Sequence, residues 1–368
     1  MTMIKPIGLY LHIPFCRGKC PYCDFYSVYP DEETVEAYVS GIIREIDRED
    51  RIYDTVYFGG GTPSLLGAER ISRIMSRIRR TENCEATLEC NPSDTGAVDS
   101  SFDFKAAAES GINRISMGLQ SAVDSERKAL GRRAGCDDVS RAVERIFRAG
   151  IRNVSLDLML GIPFQTPESL EKSIDFCASS GASHVSAYIL KIEEGTRFYE
   201  KRNELILPDE DETCELYLQT VSSLESKGFH QYEISNFAKE GFESRHNLKY
   251  WRCEEYLGIG AAAHSFVDGK RFFYGRNAED FINGVLPVED GAGGGEEEFV
   301  MLALRLSEGL SEKKFADRYG KLLPEKFKNK ADFLIEKGLM NYSCGAYSLT
   351  ERGFLLSNPV ICELIECL

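Results

Sequence analysis

The chain has 368 residues, 43% hydrophobic and 28% charged, enough for a large core with a small second domain. Its formal net charge of −15 argues against nucleic acid or an anionic membrane as partner, since phosphate binding needs a basic surface. Twelve cysteines without paired spacing point to a reducing, cytoplasmic setting, and no segment approaches the roughly 18 apolar residues of a membrane-spanning helix.

Ile7 to Ile13 reads as the first strand. The run Ile7 to Phe15 has the apolar character of a signal h-region, but it lacks an A-x-A site, carries His12 and continues straight into cysteines. Cys16, Cys20 and Cys23 follow in H-I-P-F-C-R-G-K-C-P-Y-C-D-F, a C-x3-C-x2-C spacing. Thiolate is a soft ligand, so the trio suggests zinc or an iron–sulfur cluster. Three cysteines leave one position of a four-ligand site open to a substrate or cofactor. A structural zinc that takes its fourth ligand from elsewhere is the other reading.

A helix is expected after Pro30, with Val35, Val39, Ile42, Ile43 and Ile46 on one face. Thr55 to Phe58 predicts a short buried strand that opens into Gly59-Gly60-Gly61-Thr62-Pro63-Ser64. Backbone without Cβ can turn tightly there, or approach a ligand closely. Ile71, Ile74, Met75 and Ile78 predict the next helix, and Ala86 to Cys90 the third strand, with Glu89 at its end. On its own Glu89 is an ordinary strand-end carboxylate.

An internal repeat follows: Ser110-Gly111-Ile112-Asn113-Arg114-Ile115-Ser116, then Ala149-Gly150-Ile151-Arg152-Asn153-Val154-Ser155, then Ser180-Gly181-Ala182-Ser183-His184-Val185-Ser186. In each copy a glycine closes a helix and a β-branched residue with serine opens a strand. Thr166-Pro167 has the N-cap and N1 chemistry of a helix start. Six strands alternating with helices imply an α/β fold with parallel pairing, a (β/α)6 partial TIM barrel, or failing that a doubly wound sheet. Both architectures put ligands at the C-terminal strand ends. The cysteine loop, the glycine turn, Glu89, Gln120 and Asp157 all fall near those ends.

Pro208 to Lys227 predicts a further helix, followed by G-F-H-Q-Y-E-I-S-N-F and by His246-Asn247-Leu248-Lys249-Tyr250-Trp251 with the single tryptophan. A histidine beside aromatics reads first as hydrogen-bonded core. Gly258-Ile259-Gly260-Ala261-Ala262-Ala263-His264-Ser265 comes next, and 291–295 reads as a flexible glycine linker. Residues 296–368 read as mainly helical, ending in a short hairpin, a small winged-helix-like domain. They hold more Asp and Glu than Lys and Arg, which suits a lid or docking unit better than a DNA reader. The expected division is 1–207, 208–290 and 291–368.

The cysteine segment closely resembles that of radical S-adenosylmethionine (SAM) enzymes in the anaerobic coproporphyrinogen III oxidase family. The resemblance covers nearly the whole chain, most strongly residues 9–165 and 228–265. It implies a radical-SAM partial barrel in which Cys16, Cys20 and Cys23 hold a [4Fe-4S] cluster and SAM chelates the fourth iron. It carries cofactor contacts onto Tyr10, Tyr22, Gly60, Gly61, Thr62, Glu89, Gln120, Arg132 and Asp157. An electron donor protein is implied as a partner. The oxidase branch has a further cysteine where this chain has Phe25, and Phe25 together with H-N-L-K-Y-W is similar to the haem-chaperone branch. There His246 is the implied haem ligand. Around it, Tyr250 and Trp251 are expected to cover a porphyrin face and Arg245 and Lys249 to supply cations for the anionic propionates. Two residues depart from the family pattern: Ala134 replaces a histidine and Ala262 replaces a glycine.

Two functions follow from the resemblance. One is a chaperone that binds haem and delivers it to a haem-accepting protein. The other is an oxidase that decarboxylates coproporphyrinogen III with a 5′-deoxyadenosyl radical generated from SAM. The cofactor carries the hard chemistry in either case.

Overall fold

The computed structural model describes residues 5–92 and 102–368. It opens with β1 (Ile7–Ile13), α1 (Glu32–Asp47), β2 (Tyr53–Gly60), α2 (Gly67–Met75) and β3 (Arg80–Cys90). The alternation continues through α3 (Phe104–Glu109), β4 (Arg114–Gln120), α4 (Asp124–Ala129), α5 (Cys136–Arg148), β5 (Asn153–Leu160), α6 (Pro167–Ser179) and β6 (His184–Ile189). β1 to β6 pair in sequence order, all parallel. Each helical crossover returns the chain to the same end of the sheet, so successive strands run parallel, whereas a short connection would reverse the chain. The repeat glycines Gly111, Gly150 and Gly181 sit at φ +107, +91 and +87, the left-handed geometry that ends a helix. The Thr166 side chain caps α6, with Pro167 in its first turn. α2 stops at Met75, so Ile78 packs from the turn beyond it rather than from the helix.

The strand sequences hide a two-residue alternation. Leu9, Leu11, Val56, Phe58, Leu88, Ile115, Met117, Val154, Leu156 and Val185 are buried in the apolar core with the helices. The intervening residues Tyr10, His12, Thr55, Tyr57, Thr87, Glu89, Arg114, Ser116, Ser155, Asp157 and His184 share the concave face. The register aligns them, with Tyr10 opposite Tyr57, Tyr57 opposite Thr87, Thr87 opposite Arg114 and Ser116 opposite Ser155. Parallel strands buried on both faces normally read as near-continuous hydrophobic runs. A polar concave face makes this interior a lined site as well as a core.

The next segment adds α7 (Arg197–Glu200), α8 (Glu210–Ser226), β7 (His230–Glu233), β8 (Asn236–Ala238), α9 (Arg245–Trp251), β9 (Tyr256–Ile259), β10 (His264–Val267), β11 (Lys270–Phe273), α10 (Ala278–Ile282) and β12 (Val288–Ala292). β9 extends the parallel set beside β1, and β10, β11 and β12 follow antiparallel. β8 and β7 add to the other edge, giving a 12-stranded sheet among the described residues. Gly291 and Ala292 belong to β12, so the stretch expected as a free linker is in part an edge strand. The Tyr319 hydroxyl also donates to the carbonyls of Gly294 at 2.8 Å and Gly295 at 3.0 Å.

The C-terminal unit contains α11 (Glu296–Ala303), β13 (Leu310–Ser311), α12 (Glu312–Tyr319), α13 (Glu325–Glu336), β14 (Met340–Ser343), β15 (Ala346–Leu349), α14 (Glu351–Leu355) and α15 (Ser357–Ile365). Helices around the three-stranded sheet β13-β15-β14 give the expected winged-helix-like form. The hairpin is not its end, because α14 and α15 follow and bury Phe354, Val360, Ile361 and Leu364. Pro359 falls in the first turn of α15, where its missing N–H costs nothing. Among the described residues no helix is long and apolar enough to cross a membrane.

Candidate functional site

The loop after β1 carries Cys16, Cys20 and Cys23 as free, half-buried thiols. Its base is pinned where the Cys16 N–H donates to the Val28 carbonyl at 3.0 Å, and its tip where the Cys23 N–H donates to the Cys20 carbonyl at 3.1 Å. The three thiols lie within electrostatic reach of one another. Among the described residues no three His, Cys, Asp or Glu side chains converge on a point for a single ion. A four-iron cubane takes each thiolate on a different iron, so its ligands need no such convergence.

A chain of hydrogen bonds ties this loop to the ends of β2 and β3 and to the turn after α4. The Cys16 thiol lies 3.6 Å from the Thr62 hydroxyl. Thr62 Oγ1 accepts from Asn91 Nδ2 at 2.8 Å, and Asn91 Oδ1 accepts from Arg132 Nη1 at 2.6 Å. The Arg132 Nε and Nη2 donate to the Tyr22 hydroxyl at 3.1 and 2.8 Å, which returns the chain to the cysteine loop. Gly118 leaves the room this needs, since a Cβ there would stand 2.7 Å from Gln120 Nε2 and 3.2 Å from Arg132 Nη2. Gln120 itself holds φ +69, a conformation that costs a non-glycine residue roughly 1 to 2 kcal/mol. Such strain concentrates at functional sites.

The glycine turn is explained by packing. A Cβ on Gly60 would meet the His12 ring at 2.6 Å, and one on Gly61 would meet the Phe15 and Ile13 carbonyls at 2.7 and 2.8 Å. Gly59 makes room for Tyr57, Tyr10 and Glu89. Glu89 accepts from the Tyr57 hydroxyl at 2.8 Å and from the Gly60 N–H at 3.2 Å. Burial nevertheless pushes its carboxyl up to about 7. Asp157, held by Ser116 at 3.4 Å, is pushed up to about 6 by the same desolvation. Two carboxylates therefore face a buried interior with less than their full hydration. A cationic ligand group would relieve that cost.

Beside the cysteine loop opens a cavity of about 510 Å³. Tyr10, His12, Tyr250 and Tyr256 line it together with Phe25, Tyr26, Phe273 and Tyr274, and Ala262, His264 and Arg276 complete the lining. The volume lies within the range of pockets for drug-sized ligands, about 300 to 1,000 Å³.

His246 sits apart from the cavity surface. It is 1% exposed, with Nδ1 2.8 Å from the Thr55 hydroxyl and Nε2 2.7 Å from the Tyr250 hydroxyl. Burial, first of all, drives its imidazole down to about 3, so it is neutral. The flanking cations are also committed. Lys249 is buried against Asp54 at 2.9 Å and Glu254 at 3.2 Å, and Arg245 donates to the Asn83 carbonyl at 2.6 Å. Trp251 lies under Arg305, so only Tyr250 of the expected aromatic pair reaches the cavity. The bland reading of this histidine, hydrogen-bonded core, is the one its geometry matches.

The Radical SAM superfamily model matches residues 10–177, and the HemN C-terminal domain model matches residues 297–356. The heme chaperone HemW of Bacillus subtilis is 37% identical over 95% of this chain and 97% of its own length. The heme chaperone HemW of Escherichia coli is 33% identical over 98% of both chains. The chain belongs to the HemW family. Its fold is shared with coproporphyrinogen III oxidase (HemN) from Escherichia coli, at TM-score 0.81 and 19% identity over 99% of this chain and 90% of that one. Membership of the radical SAM superfamily brings the [4Fe-4S] cluster and SAM as the cofactors of the HemW family.

Tyr57 and Asn91 are the residues the sequence reading passed over. Tyr57 stands inside the run Thr55 to Phe58, where a polar hydroxyl is masked by apolar neighbours. Asn91 lies directly after the third strand and its amide joins Thr62 to Arg132. Its place two residues after Glu89 was the available signal.

Proposed function

We propose that this HemW-family protein is a haem chaperone, which binds a [4Fe-4S] cluster, SAM and haem and hands the haem to an acceptor haemoprotein. Cys16, Cys20 and Cys23 are the cluster ligands in this reading, because they share one loop at the C-terminal end of β1 and leave a fourth position open. Tyr10, Tyr22, Gly60, Gly61, Thr62, Glu89, Gln120, Arg132 and Asp157 surround SAM. Their roles are to orient it and to set charge against it: the raised carboxyls of Glu89 and Asp157 gain most by meeting its cationic groups. When bound, cluster and SAM supply one-electron reduction of a sulfonium. An electron donor protein and a cytoplasmic setting belong to the same reading.

The observation that carries the haem assignment is the aromatic cavity next to the cysteine loop. Stacked ring area supplies most of the contact to a flat apolar macrocycle, which suits a carrier that must let go. Phe25, 65% exposed, forms part of that wall at the position where the oxidase branch carries a cysteine. The test is a haem titration of anaerobically reconstituted protein alongside an assay for coproporphyrinogen III consumption. Saturable haem binding without porphyrinogen consumption supports the reading. Conversion of coproporphyrinogen III without haem binding replaces it with the oxidase.

A further inference from the structure

A haem ligand needs an imidazole nitrogen with a free lone pair on a surface the porphyrin can reach. His246 has neither, since both ring nitrogens are engaged by Thr55 and Tyr250 inside the core. Five histidines occur in the chain. His12 lines the cavity but is buried with both nitrogens engaged, Nδ1 3.1 Å from the Tyr10 hydroxyl and Nε2 3.4 Å from the Tyr26 carbonyl. His184 is held by Ser155 and Tyr232, each at 2.8 Å. His230 is exposed on β7, at the far edge of the sheet from the cavity. His264 remains.

His264 opens β10 at the cavity wall and is exposed. Its ring stacks on Phe273 with centroids 5.2 Å apart and planes at 24°, a contact that uses the ring face and leaves both nitrogens free. Among the described residues neither nitrogen has a hydrogen-bond partner. The backbone that presents it is fixed on both sides. The Ala263 N–H donates to the Gly260 carbonyl at 3.0 Å, the Ala262 N–H to the Gly275 carbonyl at 3.0 Å, and the Tyr274 N–H to the Ala263 carbonyl at 2.9 Å. Gly258 is required beneath it, because a Cβ there would lie 2.0 Å from the His264 carbonyl oxygen. A stiff turn that carries an unpartnered, π-stacked imidazole into an aromatic cavity is the form a metal-ligand support takes.

At the rim of the same cavity Arg276 faces Asp24 at 3.5 Å, with 63% of its side chain exposed. An exposed pair at that distance contributes little, so a guanidinium there can turn to a carboxylate that binds it in two places. Haem brings such carboxylates in its propionates.

Accepting the haem-chaperone reading, we propose that His264 is the axial ligand of the bound haem iron, and that Arg276 meets a propionate. His246 is then a positioning residue behind the site. Its hydrogen bond fixes the Tyr250 hydroxyl, and Tyr250 lines the cavity.

The experiment compares wild type, His264→Ala, His246→Gln and Arg276→Ala after anaerobic reconstitution and titration with ferric haem. It is read by Soret position, by electron paramagnetic resonance and by affinity. His264→Ala is expected to lose the imidazole-ligated spectrum and to regain it with free imidazole. Its affinity falls at least about tenfold, the loss that even an outer-shell partner of a metal ligand brings. His246→Gln keeps the imidazole-ligated spectrum whatever its affinity, and Arg276→Ala weakens binding without changing the spectrum. An unaltered spectrum in His264→Ala, or loss of imidazole ligation in His246→Gln, overturns the assignment while the chaperone reading stands. Wild-type protein that takes up no haem overturns the functional reading and the ligand with it.

Discussion

Replacing Glu89 with glutamine separates what this residue costs the fold from what it does for a ligand. Glutamine keeps both contacts. Its carbonyl accepts from the Gly60 N–H, and its amide donates to the Tyr57 hydroxyl, which can turn to receive it. What disappears is the buried charge. The wild-type carboxyl moves from 4.5 in the unfolded chain to about 7 in the fold, so between those values the native state holds the extra proton. Stability from this group is therefore intact below pH 4.5, declines as pH rises through the window, and is lost by pH 7 and above. At 1.36 kcal/mol per pKa unit the full cost is about 3 kcal/mol. Glu89→Gln should gain about 2 to 3 kcal/mol on wild type at pH 8 relative to the same comparison at pH 5. Anaerobic urea titrations of both proteins at the two pH values, without SAM, measure this. The same variant should bind SAM about tenfold or more weakly, since it loses a charge-assisted hydrogen bond worth about 1.5 to 3 kcal/mol. A stability difference that does not change with pH refutes the buried-charge argument, and unchanged SAM affinity removes Glu89 from the ligand site.

Changing Cys16, Cys20 or Cys23 singly to alanine should abolish an oxygen-sensitive iron chromophore, while Cys84→Ala and Cys177→Ala retain it. Iron content and visible absorption after anaerobic purification decide this. Arg132→Lys loses the planar fork that spans Tyr22 and Asn91 and should cost about 1 to 3 kcal/mol in urea unfolding, the worth of the charge-assisted hydrogen bonds it removes. Ala262 holds φ +68, so Ala262→Gly should raise the unfolding free energy by up to about 1 kcal/mol, the relief of left-handed strain less the added unfolded-state entropy.

The parallel sheet was legible because the chain advertises it. Gly111, Gly150 and Gly181 end successive helices, and each is followed by a strand start of the same form. The convergence of the cysteine loop, Glu89, Gln120 and Asp157 on one end followed from strand direction alone. Less legible was the concave face. Thr55 to Phe58 and Ala86 to Cys90 read as solid buried strands, so the inward row of Thr55, Tyr57, Thr87 and Glu89 was not separated from the outward Val56, Phe58 and Leu88. Only pairing with neighbouring strands makes that row a surface. The glycine turn reads from sequence as a tight turn or a close approach to a ligand, and the fold adds a packing reason, since His12 and the Ile13 and Phe15 carbonyls occupy the places where Cβ atoms would stand. Sequence cannot show which atoms will lie across a barrel from a glycine. His264 was visible in G-A-A-A-H-S, yet nothing in that string says its ring will face Tyr10 and Arg276. That follows from β9 pairing with β1, a contact across more than two-thirds of the chain.

Haem transfer is the most direct test of the account as a whole. Reconstituted protein loaded with haem is mixed anaerobically with an apo-haemoprotein, with and without SAM, and the acceptor's Soret band is followed beside coproporphyrinogen III consumption. The account predicts that the acceptor gains haem and the porphyrinogen is left untouched. An acceptor that stays empty while protoporphyrinogen IX accumulates would contradict it.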